Sequence, residues 1–200
     1  HTDLYGFMWK PFDFDSTRRY PIISYVYPGP QTEAIPLEFS VTAAYNVGLA
    51  QIGFVVVTFG HRGGSPMRDK WYHTFGYNNL RDYPLADDKC GIEQLADRFS
   101  FIDKSKVGIF GHSGGGFMST AALCTYPDFY TAAVSSAGNH DNNIYNQWWG
   151  ETHHGVREVK SFEKKTVKDS ITGKDTTVSV EKIKFETKIP TNIELAKNLK

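Results

Sequence analysis

One serine in this chain has the neighbours that a catalytic nucleophile needs. Gly111-His112-Ser113-Gly114-Gly115 matches the pattern Gly-x-Ser-x-Gly, directly after a short apolar segment and directly before a segment with helical spacing. A serine in such a sharp strand-to-helix turn has a strained backbone that exposes its hydroxyl, and the flanking glycines give the turn room. The helix N-terminus favours developing negative charge, and the Gly114 amide is the usual first oxyanion donor. The motif therefore predicts acyl-transfer chemistry on Ser113, with a serine that merely caps the helix as the alternative.

Alternating apolar segments predict the scaffold that would hold this turn. Continuous apolar runs bounded by Gly or Pro are typical of buried parallel strands, and apolar residues at three- and four-residue spacing indicate helices. Their alternation favours an α/β fold with a mostly parallel, doubly wound sheet. The predicted order is an antiparallel strand over 4–9, strand 22–27, helix 36–51, strand 53–59, a loop over 61–79, helix 85–99, strand 107–110, helix 113–126 and strand 131–137.

Two further motifs form a set with the serine turn. Tyr27-Pro28-Gly29-Pro30 ends the first of the parallel strands, and His61-Arg62-Gly63-Gly64-Ser65 follows the second. With the serine turn third in order, residues 3–150 resemble the catalytic domain of the prolyl oligopeptidase family of serine peptidases, most closely its dipeptidyl peptidase IV-like branch. The resemblance implies an α/β-hydrolase fold and a peptidase that forms an acyl-enzyme on Ser113.

The resemblance also implies which groups stabilise the oxyanion. Tyr27 would donate its hydroxyl beside the Gly114 amide, although a tyrosine at this point could instead pack on the sheet. Arg62 would brace its loop rather than touch substrate. His112 would be a packed residue at the helix entry, because it faces the wrong way to act as the base.

A third implied feature is the pocket for the residue before the scissile bond. The family places it in the stretch that here runs from Asn139 to Glu151, where Tyr145, Trp148 and Trp149 are the candidate substrate-binding aromatics. Aromatic pairs also occur commonly in cores, so a packing role is the alternative. The aromatic pattern of the proline-selective branch does not align cleanly here, which leaves the preferred residue open.

The chain offers no convincing acid and base after the nucleophile. In this fold the acid and then the histidine follow the serine, separated by further elements. Asp141 and His153 have the right order, but the interval is too short. His153 and His154 are predicted loop residues, and adjacent side chains make a poor metal pair. Because residues 189–200 resemble the segment before the strand of the catalytic Asp, we expect a C-terminally truncated domain that lacks acid and base and is inactive alone.

Composition excludes some classes of protein. The 200 residues carry 22 Lys+Arg and 22 Asp+Glu, so the net charge is zero, whereas a nucleic-acid binder normally has a basic excess. No apolar run reaches the roughly 20 residues that span a bilayer. Cys90 and Cys124 are too few for a disulfide framework, and their spacing leaves open whether they pair.

The charged tail differs from the aromatic body. Residues 151–200 hold 11 basic and 8 acidic side chains but only two aromatics. Turn residues at 172–175 between alternating segments predict a solvated β-hairpin over 157–188, inserted in a partial hydrolase domain that spans 1–200. The alternation slips between Val180 and Ile183, which suggests a bulge. A disordered linker is the alternative for this tail.

Two other functions are hypotheses for this chain beside the serine peptidase. The same serine turn serves carboxylic ester hydrolases, and a non-catalytic α/β scaffold is the third hypothesis. We expect a peptide substrate, no cofactor and no metal. An exported location, whether periplasmic, extracellular or membrane-anchored, is implied by the resemblance. A sheet cut at its next strand would have an exposed edge, through which we expect a homo-oligomer.

Overall fold

A computed structural model of the chain describes residues 2–30, 32–36, 38, 44–77, 83–187, 192 and 196. Within these residues the chain forms seven strands and five helices. The strands are β1 (Gly6–Trp9), β2 (Tyr20–Tyr25), β3 (Val55–Phe59), β4 (Ile102–His112), β5 (Ala132–Ser136), β6 (Val156–Lys168) and β7 (Asp175–Thr187). The helices are α1 (Ala44–Gln51), α2 (Lys70–Thr74), α3 (Leu85–Arg98), α4 (Gly114–Thr125) and α5 (Gln147–His154).

The first five strands form one sheet in the order β1-β3-β2-β4-β5. β1 runs antiparallel to β3, and the other neighbours run parallel, as predicted. Parallel strands bring their carboxyl ends to the same edge of a sheet. The segments that follow β2, β3 and β4, which hold Tyr27, Arg62 and Ser113, therefore emerge side by side.

The two faces of the sheet are covered unequally. Apolar side chains of α3 and α4, among them Ile92 and Met118, pack with Ile22 and Val107 of the strands in one core cluster. On the opposite face α1 contacts β1 and β3. Beside α1 the described residues leave an apolar groove of about 600 Å³, whose lining includes Ile23, Tyr45, Leu49, Phe110 and Val134.

The predicted hairpin is present as β6 and β7. The strands pair antiparallel without interruption from Val156 opposite Thr187 to Lys168 opposite Asp175. The expected bulge is wrong, because Val180 and Ile183 fall in one continuous register opposite Glu163 and Lys160. The side chains alternate between two exposed faces, so the uneven apolar pattern meets no core that would need a bulge.

Several elements differ from the predicted ones. α2 lies inside the stretch predicted as a loop, and α5 places His153 and His154 in a helix rather than a loop. Helices this short have too few turns for an apolar repeat to show in the sequence. Residues 37 and 39–43 of the predicted 36–51 helix, and most of residues 189–200, lie outside the described residues. Cys90 and Cys124 are both free, and no described helix is long and apolar enough to cross a membrane.

Candidate active site

The Ser113 turn has the strained geometry that its motif predicts. Ser113 has φ 55° and ψ −114°, a region that residues with a side chain rarely occupy. Its N–H donates to the Ser136 carbonyl oxygen of β5 (2.8 Å), and its own carbonyl accepts the Phe117 N–H (3.0 Å). α4 begins at the next residue, Gly114. The serine is thus fixed between the end of β4 and the first turn of the helix, half-buried.

The glycines around Ser113 make room for a neighbouring strand. A Cβ on Gly111 or on Gly115 would overlap the Val26 carbonyl oxygen at the end of β2. A Cβ on Gly114 would overlap the Pro28 carbonyl oxygen in the same way. The motif therefore allows the backbone after β2 to cross the turn at van der Waals distance, as well as allowing the turn itself.

This crossing places Tyr27 beside the candidate nucleophile. The Tyr27 Cα lies 3.5 Å from the position that a Gly115 Cβ would take, and the Val26 N–H donates to the Phe110 carbonyl oxygen of β4 (3.0 Å). Tyr27 is half-buried. The tyrosine loop and the serine turn, distant in sequence, are thus neighbours, as an oxyanion pair would require.

No described side chain is placed to take a proton from Ser113. Its hydroxyl makes no hydrogen bond within the part of the chain that the structure describes. His112 is exposed, and its Nδ1 lies 2.9 Å from the Ser136 hydroxyl. This contact fits the expectation that His112 does not serve as the base, but the predicted packed position is wrong, because the side chain is exposed.

His140 lies near the start of α4, but its ring nitrogens are hydrogen-bonded to residues other than Ser113. Asn192 Nδ2 donates to the Phe117 carbonyl oxygen (2.9 Å) and to His140 Nδ1 (3.1 Å). Because Nδ1 accepts a hydrogen bond, the proton of the neutral ring is on Nε2, which faces the Ser135 hydroxyl at 3.4 Å. Burial lowers the pKa of His140 and favours this neutral form. Asn192 therefore ties the His140 ring to α4, and both ring nitrogens face groups other than Ser113.

Arg62 braces its loop against α3, as predicted. Its backbone N–H donates to Asp87 Oδ2 (2.8 Å), and its Nε donates to the same carboxylate (3.0 Å). The guanidinium also lies over the Phe75 ring, 4.2 Å from its centre. The hydrogen bond with Asp87 raises the pKa of Arg62.

The two glycines that follow Arg62 leave space for the side chains of Glu33 and Tyr83. The Tyr72 hydroxyl donates to the Glu33 carboxylate (2.5 Å), and a Cβ on Gly64 would collide with the Glu33 side chain. Gly63 has φ +93°, and a Cβ there would meet the Tyr83 ring. The Arg-Gly-Gly motif thus lets this loop close around Glu33, which lies on the same segment as Tyr27.

Asp88, next to Asp87, is a buried carboxylate that the sequence did not single out. The Ser24 hydroxyl of β2 donates to Oδ1 (2.5 Å), and the Tyr130 hydroxyl donates to Oδ2 (2.9 Å). Burial raises the pKa of Asp88 to about 6, although both hydrogen bonds act in the opposite direction. In the sequence, Asp88 is one of two acidic residues in the first turn of an amphipathic helix. Exposed helix starts commonly have acidic residues too, so this pattern does not predict a buried carboxylate.

The candidate substrate aromatics lie on the segment after β5. Tyr145 is 46% exposed and Trp148 is 63% exposed, so neither is a core residue. Tyr145 lines a cleft of about 240 Å³ together with Glu151 of α5 and Phe185 of β7. Trp148 stacks on Trp149.

The two adjacent histidines of α5 have separate surroundings. The His153 ring lies 4.2 Å from the Trp149 ring centre. His154 is fully buried, neither ring nitrogen has a hydrogen-bond partner among the described residues, and burial lowers its pKa to about 4. A buried histidine in this state is neutral.

Comparisons with known proteins find relatives of this chain in sequence and in fold. A model of the prolyl oligopeptidase family matches residues 39–171. Human dipeptidyl peptidase 8 is 33% identical over 135 residues, which are 67% of this chain and 15% of the human protein. Porphyromonas gingivalis dipeptidyl peptidase 4 superposes with a TM-score of 0.69 at 25% identity, over 76% of this chain and 21% of that one.

A second solved structure agrees. A Bacteroides ovatus protein described as a dipeptidyl aminopeptidase IV has a TM-score of 0.64 and 28% identity, over 77% of this chain and 22% of that one. The chain thus spans about a fifth or less of each relative's length. The α/β-hydrolase fold expected from the motifs is confirmed by these structures. On the family match, the chain belongs to the prolyl oligopeptidase family of serine peptidases.

Proposed function

We propose that this chain is the nucleophile-bearing part of a serine peptidase that releases dipeptides from the N-termini of peptides. The observation that carries the proposal is the strained Ser113 turn with the Tyr27 segment packed across it. The relatives named as dipeptidyl peptidases support the substrate class. No observation favours the ester hydrolase or the non-catalytic scaffold.

In the proposed reaction the Ser113 oxygen attacks the scissile carbonyl carbon while a base removes its proton. The carbonyl oxygen becomes an oxyanion, to which the Gly114 N–H and the Tyr27 hydroxyl donate. When this intermediate collapses, the C–N bond breaks, the base returns the proton to the leaving amine, and the acyl group stays on Ser113. Water then attacks the ester by the same path and frees the serine.

We propose that the acid and the histidine base come from residues outside these 200. The support is that the Ser113 hydroxyl has no hydrogen-bond partner among the described residues and that the relatives are several times longer. A fluorophosphonate probe should label the isolated chain slowly, because an unassisted serine is a weak nucleophile. Rapid stoichiometric labelling of Ser113 would contradict this proposal.

Tyr145 and Trp148 are proposed to contact the residue before the scissile bond. Their exposure and their position on the segment that leaves β5 beside Ser113 support this role. Tyr145→Ala and Trp148→Ala should raise KM more than they lower kcat, since they remove binding rather than chemistry. Ile171→Ala, which changes an exposed residue at the hairpin turn and outside this cleft, provides the control.

The main test is hydrolysis by the complete protein that contains this chain. Dipeptidyl anilides should be cleaved, and Ser113→Ala should reduce kcat at least about 10³-fold. Tyr27→Phe should reduce kcat about 10²-fold by deleting one oxyanion donor, whereas Tyr45→Phe at an exposed tyrosine should have no effect. Cleavage of esters but not of peptides, or full activity of Ser113→Ala, would overturn the proposal.

We also propose that the isolated chain self-associates through β5. This strand has no neighbour on its outer side among the described residues, and Val134 in it is exposed. Light scattering after size-exclusion chromatography tests this, and a monomer at all concentrations would contradict it.

An exported location is proposed on the family resemblance, and cell fractionation tests it.

A further inference from the structure

We infer that Asp88 is a positioning residue that sets where Tyr27 lies relative to Ser113, acting through Ser24. The inference rests on the proposed function, because it gives Tyr27 the role of oxyanion donor. Within the described part of the chain, Asp88 itself is hydrogen-bonded to Ser24 and Tyr130 and to no group of the proposed reaction.

The first step is the link between Asp88 and the strand that carries Tyr27. Ser24 is fully buried in β2 and donates its hydroxyl to Asp88 Oδ1. Tyr27 follows three residues later, and between them the Val26 carbonyl rests on the glycines of the serine turn. A shift of Ser24 would therefore move the Tyr27 segment across the turn.

The second step is the link between Asp88 and the serine helix. The Tyr130 hydroxyl donates to Asp88 Oδ2, and the Tyr130 N–H donates to the Tyr126 carbonyl oxygen at the end of α4 (3.1 Å). α4 begins directly after Ser113. One carboxylate thus connects the tyrosine strand with the helix that carries the serine.

A third observation is that Asp88 and Tyr27 lie around the same small cavity. Both residues line one cavity of about 10 Å³, together with His61 and Met118 of α4. A space of this size holds at most one water molecule. Tyr27, Asp88 and α4 therefore surround a space with little room to absorb a shift.

Stability alone gives no reason for a carboxylate at this place. Among the residues that the structure describes, no cation pairs with the buried Asp88, since Arg62 is bound to the neighbouring Asp87. Burial disfavours its charged form, so the carboxylate opposes folding. Groups that break a local rule of folding are most often found where function needs them.

The test compares Ser24→Ala with Ser105→Ala in the complete enzyme. Ser105 also donates its hydroxyl to an aspartate, Asp103, but at the opposite end of the sheet. Ser24→Ala and Asp88→Asn should each lower kcat about tenfold with KM changed less than about twofold, because misplacing a donor costs rate rather than binding. Ser105→Ala should change neither constant.

A double-mutant cycle separates positioning from general damage. If Asp88 acts through Tyr27, Ser24→Ala should lower kcat less than about twofold when Tyr27→Phe is already present. A full tenfold loss in that background would overturn the inference, as would an equal loss in the Ser105→Ala variant.

A second measurement does not depend on catalysis. Amide hydrogen exchange of peptides spanning Ser24–Glu33 should accelerate in Ser24→Ala and stay unchanged in Ser105→Ala. Unchanged exchange in Ser24→Ala would overturn the inference even if the enzyme is active. Accelerated exchange in a protein that hydrolyses no peptide would retain the Asp88 link and overturn the proposed function instead.

Discussion

The five-stranded sheet and the β6–β7 hairpin are stabilised in different ways, although both are hydrogen-bonded β-structure. Val55, Val56 and Val57 of β3 have no exposed surface, because α1 contacts this strand and the core cluster with α3 and α4 also includes Val55 and Val57. In the hairpin Phe162 and Phe185 remain mostly exposed, and pairing rather than packing holds the strands. A packed strand can place a side chain to a fraction of an ångström, which is why the candidate site lies at the edge of the sheet.

Charges show the same contrast. Asp87 and Asp88 are buried, and each has specific partners that connect separate elements. In the hairpin Glu163 pairs with Lys182, and both side chains stay half exposed. The buried charged groups of α3 therefore connect separate elements beside the sheet, whereas those in the hairpin stay in contact with water.

The largest expected effect comes from closing the space where β2 crosses the serine turn. Gly115→Ala would place a methyl group on the Val26 carbonyl oxygen, and no flexible side chain can yield there. We expect a loss of about 5 kcal/mol in unfolding free energy, enough to prevent folding. Gly48→Ala is the control, because Gly48 of α1 has nothing within 4 Å, and alanine should stabilise that helix by about 1 kcal/mol. Urea denaturation measures both, and equal effects would contradict the argument.

A matched pair of isoleucines compares the two regions directly. Ile22 of β2 is 0% exposed and Ile171 at the hairpin turn is 94% exposed. Ile22→Ala should cost about 4 kcal/mol through lost burial and a cavity, whereas Ile171→Ala should change stability by less than about 0.5 kcal/mol. Thermal melting of both variants checks this, and a comparable fall in Tm would show that the hairpin tip is packed.

The pH dependence of stability should report the buried carboxylate. The pKa of Asp88 is raised by burial from 3.8 to about 6. Below about pH 4 the group is neutral in both states, and between pH 4 and 6 it is charged only in the unfolded chain, so stability falls as pH rises. Relative to Asp88→Asn, which does not titrate, the protein should lose about 3 kcal/mol across this window. Parallel profiles in urea denaturation at pH 4 and pH 7 would contradict this.

The sequence alone predicts features that depend on neighbouring residues or on a motif with a fixed structural context. The Ser113 turn, the order of strands and helices in the body, and the hairpin follow from apolar periodicity and turn residues. Periodicity carries this information because it reflects which face of each element is buried.

Contacts between distant residues could not be read in this way. Asp88 meets Ser24 across 64 positions and Tyr130 across 42, and Asn192 meets His140 across 52. Such contacts depend on how elements pack, and one sequence holds no signal for a particular partner. The expected bulge failed for a related reason, since the alternation rule assumes one buried face and the hairpin has two exposed faces.

The smallest expected effect concerns the ion pairs. Lys182 Nζ lies 2.7 Å from Glu163 Oε1 in the hairpin, with about half of each side chain exposed. Water and salt screen such a pair, so a double-mutant cycle of Lys182→Gln and Glu163→Gln should give a coupling of about 0.5 kcal/mol that vanishes in 0.5 M NaCl. Arg62→Gln should cost about 3 kcal/mol and respond little to salt, because it leaves the buried Asp87 carboxylate without its cation. If the hairpin pair kept its coupling in high salt, its charges would be ordered like those at the sheet edge, and the contrast between the two regions would fail.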